Sequence, residues 1–195
     1  MNQPALHQIV PVQRRFFGLF RRRPERAGYL LYGAAVAAAR APTLYERWGV
    51  PDTLDGRFDM VGLHVYLLIE RINTPPTKPN AALAQAVFDA MFHDMDINLR
   101  EMGVGDLSVG AKMRQMWEAF HGRAKAYGAA LQAPVPQDAL ADALARNVWR
   151  GDASAAAAGL LAGYVLTQIR ILASQDAAGL AAGRVHFAPA TVEAG

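Results

Sequence analysis

Cysteine is absent from this chain of 195 residues. The absence excludes a disulfide framework, a zinc site built from thiolates and a cysteine nucleophile, and it fits a reducing compartment. The chain has the length of one domain, since single domains commonly contain about 100–200 residues. We therefore expect one compact domain flanked by tails.

Acidic residues are absent before Glu25. Residues 1–26 contain six arginines and that one glutamate, a charge of +5, so residues 27–195 carry −2 of the chain's net +3. Binding to duplex nucleic acid requires a broad basic face that neutralises phosphates. We therefore expect no specific DNA binding, and we assign the basic character of the chain to its amino-terminal tail.

The basic tail alternates arginines with apolar and aromatic residues. Arg14, Arg15 and Pro11 interrupt the apolar run that a secretory signal requires. Three alternatives stay open. An organellar presequence fits the arginines and the lack of acidic residues, although serine is absent. The others are a disordered solubilising tail and an interfacial segment whose aromatic rings enter lipid while guanidiniums meet anionic headgroups. The predicted membrane or ribosome contacts are Arg14, Arg15, Phe16, Phe17, Phe20, Arg21, Arg22 and Arg23.

Strand patterns are absent as well, because no segment alternates apolar and polar residues between hairpin turns, and no long repeat is visible. Apolar residues recur instead at helical spacing. Residues 58–73 are apolar nearly all round, which predicts a central helix, and His64 within it is predicted to be a core residue bonded to a neighbour. Asn80 is predicted to cap the next helix. The predicted fold is all-α, a single compact bundle of about six to eight helices.

A long uncharged run covers residues 153–169. A membrane span requires about 20 strongly apolar residues. Here alanine and glycine dilute the run, Gln168 lies near its end, Arg170 follows it, and aromatic belts are missing, so we predict a buried helix. The predicted organisation comprises three regions: a basic aromatic tail at 1–26, a helical domain at 27–175 and a flexible carboxy-terminal tail at 176–195.

Residues 91–116 concentrate acidic side chains around a glycine turn, which predicts a corner between two helices. Asp106 is predicted to cap the second helix through its side-chain oxygen. Asp96 and Arg100 are spaced to form a pair on one helix face. Arg57, from an earlier loop, is the expected counter-ion of this acidic cluster.

Several motifs of metal and phosphate chemistry are incomplete. The glycine spacing after Gly105 resembles a phosphate loop, but Ala111 replaces its lysine, and Leu99 replaces the glycine of a calcium loop. Glu118 and His121 form one Glu-x-x-His pair, whereas a di-iron bundle uses two such pairs and two further glutamates. We therefore predict no catalytic residue, no metal and no cofactor. A metal-dependent helical-bundle enzyme using this pair, His64 and the acidic cluster is the alternative.

Four ordered blocks carry a resemblance to a known family. They are GVPDTLDGRFDM (49–60), LHVYLLIERI (63–72), MFHDMDINLREMGVGDLSVGAKMRQM (91–116) and FHGRAKAYGAAL (120–131). Together they closely resemble the ubiquinol–cytochrome c chaperone family over residues 29–131. Beyond residue 131 the similarity fades, so the last helices are expected to be specific to a lineage.

The resemblance implies an all-helical, non-enzymatic assembly factor of ubiquinol–cytochrome c reductase. Such a protein acts on newly made cytochrome b, or another apolar membrane-protein client, near the ribosome at a membrane, and its mitochondrial members work with a small partner subunit. The composition suggests a bacterial member, expected in the cytoplasm at the inner face of the inner membrane, or on the matrix side in a eukaryote. An adaptor acting on membrane or ribosome through the tail is the other alternative. The predicted partner-binding residues are Asp52, Arg57, Asp59, Asp94, Asp96, Arg100, Glu101 and Lys112.

Overall fold

The computed structural model describes residues 22–74 and 80–191, with side chains from Pro24 onward. This part of the chain folds into helices and contains no strand, which confirms the predicted all-α bundle. The eight described helices are α1 (Arg22–Ala39), α2 (Pro42–Glu46), α3 (Leu54–Asn73), α4 (Ala81–Glu101), α5 (Asp106–Leu131), α6 (Pro136–Val148), α7 (Ala155–Ala173) and α8 (Ala177–Ala181).

Helix α3 is the central element of the bundle. It packs against α1, α4, α5, α6 and α7, and fourteen of its twenty residues are buried, as its all-round apolar character predicts. It begins four residues earlier than the apolar pattern suggests, because the Thr53 side chain caps it by accepting the Gly56 N–H at 3.1 Å. Gly56 is required there, since a Cβ atom would lie 2.0 Å from the Pro51 carbonyl oxygen.

Helix α1 lies along α4 and α3. A glycine permits the close approach of α1 to α4, because a Cβ atom on Gly28 would stand 2.6 Å from the carbonyl carbon of Ala86. Asn80 caps α4 through its side chain, which accepts the Leu83 N–H at 3.1 Å and confirms the predicted cap. The first helix begins at Arg22, inside the predicted tail.

Helix α7 packs against α6 and α3, but only seven of its nineteen residues are buried, so it is less buried than predicted. Ser154 caps it through its hydroxyl, and Gln168 is fully buried on its inner face. Among the described helices, α7 alone is long and apolar enough to cross a membrane by length and composition. Core helices of globular proteins can have the same length and apolar composition, so these properties do not distinguish a core helix from a membrane span.

After α8 the chain returns along α7 in an extended segment held by two glutamines. The Gln168 amide donates to the carbonyl oxygen of Ala188 at 2.7 Å and accepts the Ala188 N–H at 2.9 Å. The Gln175 amide pairs in the same way with both backbone groups of His186, at 2.7 Å each. The flexibility predicted for residues 176–195 stays a prediction, but the segment up to Thr191 is bonded to the bundle.

His64 lies in the core between α3, α7 and the extended segment. Its Nδ1 donates to the Met60 carbonyl oxygen at 2.8 Å, an assignment that follows because a carbonyl only accepts, so Nε2 accepts from the Tyr164 hydroxyl at 2.8 Å. The Phe187 ring covers the imidazole edge to face. Burial lowers the pKa of His64 to about 4, so the ring is neutral. The predicted core role of His64 is confirmed.

Candidate functional site

A groove with a volume of about 510 Å³ opens among helices α1 to α5 and reaches the turn after α6. Its size falls within the range of about 300–1,000 Å³ typical of ligand sites. Leu54 and Met102 in its lining are 60% and 51% exposed. The apolar lining comprises Val36, Leu54, Phe58, Val61, Met95, Leu99, Met102, Met116 and Ala119. Three methionines make this surface adaptable, because methionine is unbranched and flexible.

The charged lining of the groove is predominantly basic. Five basic and three acidic side chains contribute to it, an excess of two positive charges, whereas residues 27–195 as a whole carry −2. The basic residues are Arg40, Arg57, Lys112, Arg123 and Arg150, and the acidic ones are Asp55, Asp59 and Asp94. The groove is therefore a locally positive, apolar depression on a slightly acidic domain.

A buried carboxylate belongs to the lining of the groove. Oδ1 of Asp59 on α3 forms an ion pair with Arg123 of α5 at 2.6 Å, and its Oδ2 accepts a hydrogen bond from Arg150 at 2.8 Å. Burial raises the pKa of Asp59, while the two guanidiniums act in the opposite direction. Arg150 follows α6 in a left-handed conformation, φ 59°, that aims its side chain back at α3. These contacts tie three parts of the bundle together, and Arg123 also lies 5.7 Å from the Phe58 ring centroid.

A second polar contact joins two walls of the groove. The Tyr32 hydroxyl of α1 donates to the Asp94 carboxylate of α4 at 2.6 Å. Burial and the adjacent carboxylate raise the pKa of Tyr32, so the hydroxyl keeps its proton. Asp94 therefore fixes the separation of the two helices along the groove.

The corner between α4 and α5 contains the predicted ion pair and corrects one prediction. Arg100 donates to Asp96 at 2.7 Å, which confirms the pair on one helix face, and to Asp106 at 2.5 Å. The predicted side-chain cap at Asp106 is wrong: Gly105 occupies the cap position, and Asp106 is the first residue of α5. Its carboxylate binds Arg100 across the turn because the glycines bring the two helix ends together.

The predicted counter-ion of the acidic cluster is also wrong. Arg57 donates to Asp52 at 2.6 Å, and both side chains are more than half exposed. The pairing is local because Asp52 lies five residues earlier, in the turn that leads into α3, and Arg57 lies in the first turn of α3. The acidic cluster obtains its counter-ion from within, since Arg100 supplies it.

The structure divides the predicted partner-binding residues into two groups. Arg57, Asp59, Asp94 and Lys112 line the groove, and Asp52 is attached to it through Arg57. The other three belong to the corner between α4 and α5, outside the groove lining, and are Asp96, Arg100 and Glu101. Whether any of these residues contacts a partner stays a prediction.

The sequence did not single out two important groove residues. Arg123 and Arg150 hold Asp59, yet neither was predicted as a site residue. A signal existed for Arg123, because it stands next to Ala124 on the buried stripe of α5, where a charge requires a partner. No sequence pattern marks Arg150, whose role depends on a left-handed turn.

Other predicted contacts lie outside what the structure describes. The tail residues Arg14, Arg15, Phe16, Phe17, Phe20 and Arg21 precede the described residues, and the side chains of Arg22 and Arg23 are not described. Within residues 22–74 and 80–191, no three histidine or carboxylate side chains come together as a metal site would require. His121, one half of the Glu-x-x-His pair, bonds the Trp117 carbonyl oxygen through Nδ1 at 2.9 Å.

A helical bundle with an apolar, methionine-containing groove defines a protein of the binding class. Comparison with known proteins specifies it further. The profile described as ubiquinol-cytochrome C chaperone matches residues 46–187. The crystal structure of the Cbp3 homolog from Brucella abortus superposes with a TM-score of 0.75 and 37% sequence identity, covering 87% of this chain and 92% of that chain. No curated protein matches the chain. The chain belongs to the ubiquinol–cytochrome c chaperone family.

Membership confirms the predicted class of function. The protein is a non-enzymatic chaperone in the assembly of ubiquinol–cytochrome c reductase, and the alternative of a metal-dependent enzyme falls away. One expectation is corrected: the similarity does not end near residue 131, because the family match extends to residue 187. The reason lies in the fold, since α6 and α7 complete the core around α3. A bacterial relative fits the bacterial character expected from composition.

Proposed function

We propose that the protein binds newly made cytochrome b and that the groove among α1 to α5 receives an apolar segment of this client. The single observation that carries the proposal is the groove itself, with Leu54 and Met102 half exposed or more at its edge. A membrane protein that has not yet been assembled exposes apolar helices, and covering them prevents aggregation. The family's role in assembly of the reductase supports this client.

The shape and chemistry of the groove suit a helical segment. A helix lying in a groove presents side chains at steps of three and four residues to an apolar floor. Phe58 and Val61 of α3 belong to that lining, and Met95 and Met116 lie in the neighbouring helices α4 and α5. Methionine-containing surfaces repack around different apolar partners, which a chaperone that handles unfinished proteins requires.

Site-specific photo-crosslinking and paired substitutions test this proposal. A photoreactive residue at Met102 is expected to crosslink to nascent cytochrome b, and Leu54→Glu with Met102→Glu is expected to reduce its capture and the amount of assembled reductase. Val135→Glu is the matched control, because Val135 is 56% exposed and lies before α6, outside the groove lining. Normal capture and normal assembly in the Leu54 and Met102 variant would overturn the proposal.

We also propose that the protein works at the cytoplasmic face of a bacterial inner membrane, with its basic tail as the contact. The +5 charge of residues 1–26 supports this location. Arg26 is exposed at the start of α1, and Tyr29 beside it is 51% exposed, so the described part of the chain continues the basic and aromatic character of the tail.

Sedimentation tests the location. The full chain and a chain lacking residues 1–21 are compared on anionic vesicles, on neutral vesicles and on ribosomes. The full chain is expected to sediment with anionic vesicles in a salt-sensitive manner, and the shortened chain is expected to remain in solution. If the full chain sedimented with ribosomes alone, the tail would contact the ribosome and not the membrane. If both chains sedimented equally, the tail would be excluded as the contact.

A further inference from the structure

The groove contains positive charge that its own residues do not neutralise. Arg40, at the end of α1, and Lys112, in α5, line the groove and form no ion pair with any residue that the structure describes. Arg57, by contrast, is paired with Asp52. The charges of Arg40 and Lys112 are therefore directed to solvent or to an occupant.

A third positive charge comes from the group formed by Asp59, Arg123 and Arg150. One carboxylate there faces two guanidiniums, those of Arg123 and Arg150, so the three side chains together carry a net charge of +1. The Arg150 side chain is half exposed, whereas that of Asp59 is fully buried. The excess charge is thus accessible from the groove, because Arg150 belongs to its lining.

This distribution disfavours an occupant that is entirely apolar. Covering Arg40 and Lys112 with an apolar surface would remove water from two charges without supplying a partner, which costs free energy. A carboxylate on the occupant would replace that water with charge-assisted hydrogen bonds. The aspartates of the groove do not fulfil this role, because Asp59 is held by two arginines, Asp94 accepts the Tyr32 hydroxyl, and Asp55 forms no ion pair with any residue that the structure describes.

We propose that the groove selects apolar segments that carry an acidic side chain next to their apolar stretch, with Arg40 and Lys112 as the residues that recognise the carboxylate. This inference rests on the proposed function, since it specifies the client of the same groove. The apolar lining supplies affinity through buried area, and the two cations supply selectivity. The occupant is a protein segment, because the chain belongs to a family of chaperones and the apolar lining and the charges lie in one depression.

Three fluorescent helical peptides test the inference. They share one apolar face and differ at a single flanking position, which is Glu, Gln or Lys, and binding to the full chain is followed by anisotropy at low and high salt. The Glu peptide is expected to bind about five- to tenfold more tightly than the Gln peptide, since this ratio corresponds to about 1 kcal/mol. The Lys peptide is expected to bind most weakly. High salt is expected to reduce the differences in affinity among the three peptides, because it screens the charges.

Charge reversal assigns the preference to the two residues. Arg40→Glu with Lys112→Glu is expected to reverse the order so that the Lys peptide binds best. Arg47→Glu with Lys125→Glu is the matched control, because both side chains are exposed outside the groove lining and the change in net charge is equal. Arg40 and Lys112 are also exposed, so thermal unfolding of the reversed variant is expected to match that of the control.

The outcomes distinguish this inference from the proposed function. Equal binding of all three peptides would overturn the inference and leave the groove as a client site. A preference for Glu that persists after reversal at Arg40 and Lys112 would also overturn it. Displacement of the Glu peptide by dodecyl phosphate at lower concentration than by unlabelled peptide would assign the charges to a lipid headgroup and overturn it. Failure of every peptide to bind, together with no crosslink from Met102, would overturn the proposed function.

Discussion

Asp59 and Arg123 meet at 2.6 Å between the central helix α3 and helix α5, and the Asp59 side chain has no exposed surface. A buried carboxylate is costly unless it is paired, and here Arg150 provides a second partner from the turn after α6. The three residues belong to the lining of the groove. The pair thus links the packing of the bundle to the surface that we propose binds the client.

Removal of the Asp59 charge is expected to destabilise the fold. Asp59→Asn preserves the shape of the side chain but leaves Arg123 largely buried without a counter-ion, which costs about 3 kcal/mol. Chemical denaturation measures this loss. Asp55→Asn is the control, because Asp55 lies one turn earlier on α3 and is exposed. Equal free energies of unfolding for the two variants would contradict the role of the Asp59 pair.

Stability is expected to fall with acidification because of His64. Its pKa is about 4 in the folded state and 6.5 without burial, so below pH 6.5 the unfolded chain binds a proton that the folded chain does not. The free energy of unfolding therefore decreases as pH falls from 6.5 to 4, by about 3 kcal/mol at the lower limit. Urea denaturation of the unaltered protein and of His64→Gln across this range measures the difference. If the difference in unfolding free energy between the two proteins did not vary with pH, the assignment of this pH dependence to His64 would be contradicted.

Two glycines of α1 are expected to respond oppositely to alanine. Gly28→Ala would place a Cβ atom 2.6 Å from the Ala86 backbone and force α1 away from α4, which lowers the melting temperature. Gly33→Ala meets no atom within 4 Å, so it is expected to stabilise the helix by about 0.5–1 kcal/mol through helix propensity. Thermal unfolding of both variants provides the measurement, and destabilisation by Gly33→Ala would contradict the open space around this position.

The extended carboxy-terminal segment is expected to loosen when its glutamine contacts are removed. Gln168→Ala eliminates both bonds to Ala188, and Gln175→Ala eliminates both bonds to His186. Each hydrogen bond contributes about 1 kcal/mol, so amide exchange of the segment should accelerate. Hydrogen exchange by mass spectrometry records this. Gln85→Ala, which removes an exposed contact on α4, should leave the exchange unchanged.

The corner between α4 and α5 is expected to influence partner binding more than stability. Arg100 is half exposed and its partner Asp106 is 86% exposed, so solvent screens their attraction and Arg100→Glu should leave the melting temperature nearly unchanged. Capture of cytochrome b is expected to fall if Arg100 and Glu101 contact a partner, as the sequence predicts. Unchanged capture in Arg100→Glu would restrict the client site to the groove.

The all-α class and the central helix could be predicted because they depend on local pattern. Residues 58–73 are apolar on every face, and such a helix is stable only when neighbours surround it. Asn80 as a cap and the pairing of Asp96 with Arg100 likewise involve residues three or four positions apart. The resemblance of four sequence blocks identified the family, because their order and spacing survive in this chain.

The groove and its charges could not be predicted, because they arise from residues far apart in the sequence. Asp59 and Arg150 are ninety-one positions apart in the sequence, and their contact depends on a left-handed turn that no sequence motif predicts. Arg57 was expected to pair with the acidic cluster, but it pairs with Asp52, five residues earlier. Asp106 was expected to cap its own helix, but it pairs with Arg100. The sequence by itself determined the helices, the family and the absence of thiol chemistry, since these depend on composition and short spacing. Only the tertiary structure decided which charges are neutralised and which face the groove, because pairing depends on distances that the packing of helices creates.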